Sequence, residues 1–411
     1  MSLEENNRQQ KALIAMSGGV DSSVAAALMQ EMGYDCVGAM MKLYQKEDIA
    51  ASEGAAEEKR GGRKPEDAVS ENRICRMERE TLVENRARCA AEGTAKEGKT
   101  CCAADDAEDA ALVARKLGMP FYVFRFTEEF RHQVMERFVN SYLKGETPNP
   151  CIDCNRYMKF EKLYERALIL GCDKIVTGHY ARISRDEKSG RWQMRKAADQ
   201  TKDQSYVLYQ LTQEQLSHVC FPLGELTKDR VRELAQEHGF YNADKQDSQD
   251  ICFVPDGHYE KFIETYTGKT VPPGNFVTKD GEIIGRHKGI IHYTVGQRRG
   301  LGIAAPSPYY VKEIRPESNE VVLCSDEELF QRTLFAEEAN WVSIPEPAGK
   351  IRVEAKIRYR HKPAAATAEM TERGQLKVTF DEPQRAITKG QSVVLYDGDL
   401  VLGGGKICGT E

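Results

Sequence analysis

Two short stretches hold residue types at spacings that can do chemistry. The first is SGGVDSS, residues 17 to 23. Ser17, Gly18 and Gly19 let backbone N–H groups crowd around an anion, and the helix pattern that follows aims its N-terminus at the same place. Such a loop cradles phosphate. It lacks the Gly-Lys-Ser/Thr of a Walker loop and the GxGxxG spacing of a dinucleotide site. Asp21 stands where a carboxylate can hold Mg²⁺ against those phosphates. The plainer role for these residues is a strand-to-helix turn with Asp21 as its cap. The second stretch is TPNPCIDCNRYMKF, residues 147 to 160, with Cys151 and Cys154 behind two prolines. A CxxC pair suits zinc, a redox disulfide, an iron–sulfur cluster or sulfur transfer, and its spacing does not choose.

These residues need elements to position them. KALIAM reads as a strand, the glycine loop turns into an alanine-rich helix, and CVGAMMKLY is a second strand. Strand, tight turn, helix, strand opens a parallel α/β sheet. Helix and strand patterns then alternate: DAEDAALVARKLG, PFYVFRF, EEFRHQVMERFVNSYLKGE, RYMKFEKLYERALILG, and DKIVTGHYARI as one strand. The expected architecture is a doubly wound parallel-sheet domain over 1–222, a small mixed module over 223–330 and an antiparallel β-barrel over 331–411. TKDRVRELAQEHGF, a helix with a Thr cap and a Gly stop, opens the middle module. Residues 45–98 are rich in Glu, Lys, Arg, Ala and Gly with no lasting apolar stripe, the composition of a mobile insertion.

Composition narrows the setting. A chain of 411 residues, 40% hydrophobic and 30% charged, exceeds the size of a single core. Net charge is −6 and pI about 5.9, so no global cationic field grips nucleic acid; DNA is not an expected partner, and RNA needs a local basic face. MSLEENNRQQ is neither a secretory nor a transit leader, and no run of about eighteen apolar residues offers a membrane span. A cytoplasmic protein is expected. Its twelve cysteines are then mostly buried thiols.

The loop matches the SGGxDS signature of the PP-loop ATP pyrophosphatases, in which it holds the pyrophosphate that leaves when ATP adenylates a substrate. TPNPCIDCNRYMKF, TGHYARI, KDQSYVLYQL, SQDICFV, HYTVGQRRGLGI and GQSVVLYDGDLVLGGGKI follow in this order. Together they resemble the bacterial tRNA-specific 2-thiouridylases (MnmA/TrmU family) along nearly the whole chain outside 45–98. The resemblance implies an ATP-dependent sulfurtransferase that adenylates the C2 oxygen of the wobble uridine of tRNA and replaces it by sulfur, supplied by a cysteine desulfurase or a sulfur carrier. A uracil carbonyl oxygen does not leave as oxide, whereas a phosphate ester does, and a thiolate or persulfide is the soft nucleophile that brings sulfur to carbon.

Residue by residue, the resemblance makes Cys154 the nucleophile and Cys252 the persulfide carrier. Ala15, Met16, Ser17, Gly18, Gly19, Val20, Asp21 and Ser22 would line the ATP site, with Met41 on adenine and Gly178 allowing backbone approach. Asn149, Pro150 and Cys151 would meet the target base on a proline-stiffened loop. His179, Lys202, Asp203, Gln204, Arg358, Tyr359 and Gln391 would touch tRNA. The exposed-looking stretch with His287, Lys288, Arg298 and Arg299 adds local positive charge. Where Cys151 stands, well-studied relatives carry an Asp beside the nucleophile. Two readings follow: a thiol relay, or Cys151, Cys154 and Cys252 as ligands of a 4Fe–4S cluster with one iron open. Two rival functions remain at this level, a PP-loop amide ligase using ammonia and a non-catalytic RNA-binding or iron–sulfur protein.

Overall fold

The computed structural model describes residues 9–44, 75–76, 104–247, 250–254 and 256–411. In chain order, β1 (Lys11–Ala15), β2 (Asp35–Lys42), β3 (Cys75–Arg76), β4 (Phe121–Arg125) and β5 (Lys174–Val176) build the first sheet. A hairpin of β6 (Ala181–Arg185) and β7 (Trp192–Lys196) follows, and β8 (Val219–Cys220) returns to that sheet. The sheet order is β3-β4-β2-β1-β5-β8, parallel except for the edge strand β3. Apart from Cys75–Arg76, the insertion expected over 45–98 lies outside the described residues.

Both faces of the sheet are covered, and the strand sequences show why. Along β1, Leu13 points into one core with the helices at 127–143 and 150–169, while Ala12 and Ile14 enter a second core. That second core holds α1 (Val20–Glu31) and the helices Ala104–Lys116 and Lys228–Glu237. Alternate side chains serving opposite layers give the near-continuous apolar runs of a doubly wound sheet. The helix Lys228–Glu237 begins on the expected Thr cap, Thr227 Oγ1 accepting from Arg230 N at 3.3 Å, and stops at Gly239 in the left-handed region, φ +61°. It does not open a new module. Val231 and Ala235 are buried with Val24 of α1, so the first domain extends past residue 222 because this helix completes its helical layer.

Two smaller units follow. Helix Tyr259–Thr267 precedes a four-stranded sheet ordered β10-β9-β12-β11, made of β9 (Gly274–Val277), β10 (Ile283–His287), β11 (Tyr310–Arg315) and β12 (Glu320–Cys324). The C-terminal strands β13 (Phe330–Asn340), β14 (Ile351–Lys356), β15 (Ala364–Met370), β16 (Leu376–Arg385), β17 (Ser392–Asp397) and β18 (Leu400–Thr410) close into an antiparallel barrel through β13–β18 pairing. The barrel core is its own, with Phe380, Leu395 and Ile407 inside.

The segment DKIVTGHYARI differs from the single strand expected. It breaks at Thr177–Tyr180 into β5, which stays in the parallel sheet, and β6, which joins the barrel sheet as its β7 partner pairs with β18. Asp399 in the β17–β18 turn clamps this hairpin, accepting from Arg182 Nη2 and Arg195 Nη1, both at 2.7 Å. The barrel is thereby welded to the parallel sheet at the point where the strand order reverses. Ligands of such sheets bind there, beyond the C-terminal ends of the strands.

Candidate active site

Two loops leave the sheet at that reversal point, residues 16–19 after β1 and 177–180 after β5. The first is a cradle fixed by its glycines. Gly18 has φ +72°, and a Cβ there would lie 2.3 Å from Asp106 O, so no other residue fits without moving the helix Ala104–Lys116. Ser22 Oγ accepts from Ser17 N at 3.2 Å and donates to Gly19 O at 3.0 Å, while Ser23 Oγ also donates to Gly19 O at 3.0 Å. Both serines are buried. These bonds set the loop before any ligand arrives. Helix α1 starts at Val20, and the leading N–H groups of a helix have no partner within it, so they face the cradle.

Cations converge on the same place. Lys228, buried at the first position of its helix, bonds Asp21 Oδ1 at 2.7 Å and Asp247 Oδ1 at 2.6 Å. Tyr180 OH donates to Asp21 Oδ1 at 2.8 Å; burial and then the neighbouring Asp21 carboxylate push the phenol far above its ordinary range. Lys245 reaches Gly18 O at 3.3 Å, Asp106 at 2.5 Å and Asp109 at 2.6 Å, and Asn242 Nδ2 donates to Gly18 O and Ser23 Oγ, both at 3.0 Å. Sequence reasoning missed Lys228, Asp247, Lys245 and Asn242. The signal available for Lys228 was its place right after a helix cap, where its ammonium can share an anion site with a helix N-terminus.

The second loop ties the cradle to the cysteines. A Cβ on Gly178 would sit 2.8 Å from Asp21 C and Ser22 N, so this glycine allows contact with the start of α1. Next to it, His179 is buried between Phe160 and Phe221, with Thr177 Oγ1 at 2.6 Å from Nδ1 and Lys159 Nζ at 3.3 Å from Nε2. Burial, then the Lys159 charge, hold its pKa well below the usual histidine value. His179 is thus a neutral strut between the loop and the cysteine helix.

Asn149–Cys151 is a helix N-terminus, where a loop was expected. Asn149 is the N-cap, its Oδ1 accepting from Cys151 N at 3.2 Å, and Pro150 occupies the first turn. An Asn followed by Pro is a helix-start signature legible in the sequence. The helix runs from 150 to 169, with wide π turns over Cys154–Lys162, so Cys154 lies where the helix widens. Single π turns in helices recur at functional sites. Cys151 is exposed and Cys154 half-buried. Asp153 points away from them, 3.4 Å from Arg137 Nε, in a cavity of about 250 Å³ shared with Arg156, Glu338 and Lys406. Burial outweighs Arg137 and raises its carboxyl above the usual range.

Cys252 lies in a turn. Val254 N bonds Ile251 O at 2.9 Å, and only Phe253 and Val254 are buried. Tyr44 OH bonds Cys252 O. Cys154 and Cys252 both pack, partly buried, against the same hydrophobic core. Cys36, Cys220, Cys324 and Cys408 are free thiols, and among the described residues no three His, Cys, Asp or Glu side chains are grouped to hold a metal ion.

Of the other expected residues, Met41 is half-buried at the end of β2. Asp203 shapes its own turn, accepting from Ala197 N at 3.0 Å and Ser205 Oγ at 2.8 Å, and Gln204 Oε1 accepts from Tyr180 N at 3.0 Å. Lys202 bonds Asp247 Oδ2 at 2.8 Å. From the barrel, Tyr359 OH donates to Asp203 O at 3.3 Å, and its phenol is raised by burial, by Asp203 and by the nearby Cys151. Gln391 Nε2 donates to Thr147 O at 2.8 Å, holding the chain just before Asn149. Arg358 is half-buried beside Tyr206, while Lys288, Arg298 and Arg299 are exposed and His287 is buried.

Known proteins resemble this chain along nearly its whole length. The chain matches the family profiles described as tRNA methyl transferase HUP domain (residues 10–79 and 78–256), tRNA methyl transferase PRC-barrel domain (260–325) and Aminomethyltransferase beta-barrel domain (331–407). It is 44% identical over 397 residues to the tRNA-specific 2-thiouridylase MnmA of Clostridioides difficile, covering 97% of this chain and 98% of that protein. The proteins of the same name from Lachnoclostridium phytofermentans and Acetivibrio thermocellus are each 46% identical, over 97% of this chain and 99% of theirs. Among the described residues no helix is long and apolar enough to cross a membrane.

Proposed function

The chain belongs to the tRNA-specific 2-thiouridylases, and from that premise we propose that it activates the wobble uridine of tRNA with ATP at the cradle after β1 and exchanges the activated oxygen for sulfur at Cys154 and Cys252. One observation carries this reading. Loop 177–180 brings Gly178 against the backbone of Asp21–Ser22 and His179 to Lys159 of the cysteine helix, so one loop joins the phosphate cradle to the helix that carries Cys151 and Cys154.

The roles follow from the geometry. The N–H groups at the start of α1 and the Lys228 ammonium take up charge on the departing pyrophosphate. Mg²⁺, when bound, would screen those phosphates further, and Asp21 is the cradle carboxylate that could hold it while Tyr180 and Lys228 fix its orientation. Asn149 and Pro150 present the exposed Cys151 and the neighbouring Cys154 at a helix N-terminus. The terminal sulfur of a persulfide on Cys252 attacks C2, and AMP leaves with the bonding electron pair. The Cys154 thiolate then captures the Cys252 sulfur as a disulfide, which frees 2-thiouridine, and an external thiol reductant resets the pair. A cysteine desulfurase or a sulfur-carrier protein would load Cys252, in the cytoplasm where tRNA is met.

The test supplies ATP, unmodified tRNA and a sulfur donor, then analyses nucleosides by mass spectrometry and nucleotides by chromatography. Expected products are 2-thiouridine, AMP and pyrophosphate, all dependent on tRNA. Incorporation of nitrogen from ammonia would establish the amide-ligase alternative, and no ATP turnover on adding tRNA would establish the non-catalytic one.

A further inference from the structure

A chain of alternating charges runs out of the cradle, and phosphate binding uses only its first half. Asp21, Lys228, Asp247 and Lys202 follow one another at 2.7, 2.6 and 2.8 Å. It starts in the first turn of α1, crosses the N-terminus of the helix Lys228–Glu237 and ends in the turn that carries Lys202. Among the described residues, Asp247 alone bonds both lysines, one through each carboxylate oxygen. An aspartate can accept from two ammonium groups in this way, whereas asparagine has a single acceptor oxygen.

Asp247 also lies five residues ahead of Cys252 in the chain. On the other side of Cys252, Phe253 is buried edge-on against Phe130 and Phe138. The backbone at Cys252 itself accepts from Tyr44 OH. Asp247 and Phe253, on either side of Cys252, are therefore held, the one by an ion bridge to the nucleotide cradle and the other by aromatic packing. Neutralising Lys228 would not by itself require the second oxygen to engage Lys202.

We propose that Asp247 is a positioning residue that couples the two half-reactions, holding the Cys252 stretch in register with the cradle lysine and with the Lys202 turn. This rests on the assignment of activation and sulfur transfer made above. Without the bridge, adenylation continues but sulfur arrives out of place. Water then attacks C2 of the activated base, AMP leaves with the bonding pair, and loss of the added proton restores the C2 carbonyl of uridine.

Single turnovers decide it. Full-length enzyme persulfidated with polysulfide is mixed with radiolabelled ATP and a tRNA transcript, and 2-thiouridine formed per AMP released is measured. For Asp247→Asn the ratio is expected to fall about tenfold while AMP release changes by less than about threefold, with partial recovery in Asp247→Glu. Lys202→Met is expected to lower the ratio as well, whereas loss of a simple RNA contact would raise the KM for tRNA and leave the ratio alone. An unchanged ratio in Asp247→Asn, or in Lys202→Met should the first variant not fold by circular dichroism, overturns the proposal. Absence of 2-thiouridine from the unsubstituted enzyme would instead remove the functional reading on which it stands.

Discussion

Around Gly18 the backbone itself makes the site. The loop closes through serines within five positions of one another, and its glycine is dictated by a positive φ and by the wall of Asp106. Around Cys154 and Cys252 the placement comes from far along the chain. The cysteine helix is held by Asn155 Nδ2 bonding Val207 O at 3.0 Å, its approach by Gln391 of the barrel, and the Cys252 turn by aromatic residues of other helices. The anion loop is thus closed by its own neighbouring residues, with Lys228 and Asn242 added from far along the chain, whereas the approach to the sulfur site is held only once the barrel has docked on the first domain. A reaction in two steps is served by two kinds of construction, and each should fail in its own way.

The sharpest separation comes from the thiols. Cys154→Ser and Cys252→Ser should each cut 2-thiouridine formation by about 1000-fold or more, with tRNA-dependent AMP release persisting, as read by nucleoside mass spectrometry. Sulfur incorporation by either variant would erase the distinction between the regions. Gly18→Ala attacks the other side. Its Cβ would meet Asp106 O in a strained backbone, so ATP affinity should drop by about 100-fold in calorimetry and stability by about 2 kcal/mol in urea melts.

Lys228→Met should raise the KM for ATP by about tenfold, since it strips the cradle of a cation and leaves Asp21 with only the Tyr180 hydroxyl against it. A smaller effect is expected at the docking contacts. Gln391→Ala removes one hydrogen bond worth about 1 kcal/mol, so thiolation should slow several-fold at an unchanged KM for ATP. Equal loss in both parameters would show that the barrel also shapes the cradle.

The weakest expected effect is on acid stability. Burial raises the Asp399 carboxyl, but Arg195 and Arg182 outweigh it and bring the pKa below the ordinary 3.8. A depressed folded pKa stabilises fully above the unfolded value and is lost as pH falls through the folded one. Asp399→Asn should therefore flatten the acid limb of the stability curve below about pH 4 without changing its neutral plateau much, because the pair is partly solvated.

The order of elements could be read from the chain because periodicity and caps are local. KALIAM, the alanine-rich α1 and the Thr227 cap all stand where their patterns put them. Local signals also existed that were read otherwise: Asn149-Pro150 is a helix start, and a glycine in TGHY marks a break between strands. The partnership of Lys228 with Asp21 joins residues 207 apart in sequence, and no spacing rule reaches that far.

The sequence by itself determined the phosphate loop, the alternation of strand and helix, and the thiols available for sulfur chemistry, since each depends on residues within a turn or two of one another. Tertiary structure alone decided which carboxylate meets which lysine, that Asp153 turns toward Arg137 and away from the cysteines, and that the β6–β7 hairpin leaves the first domain to pair with the barrel. Those outcomes depend on which buried charges find partners and which strand edges find a ladder, and both are settled only when distant segments come together.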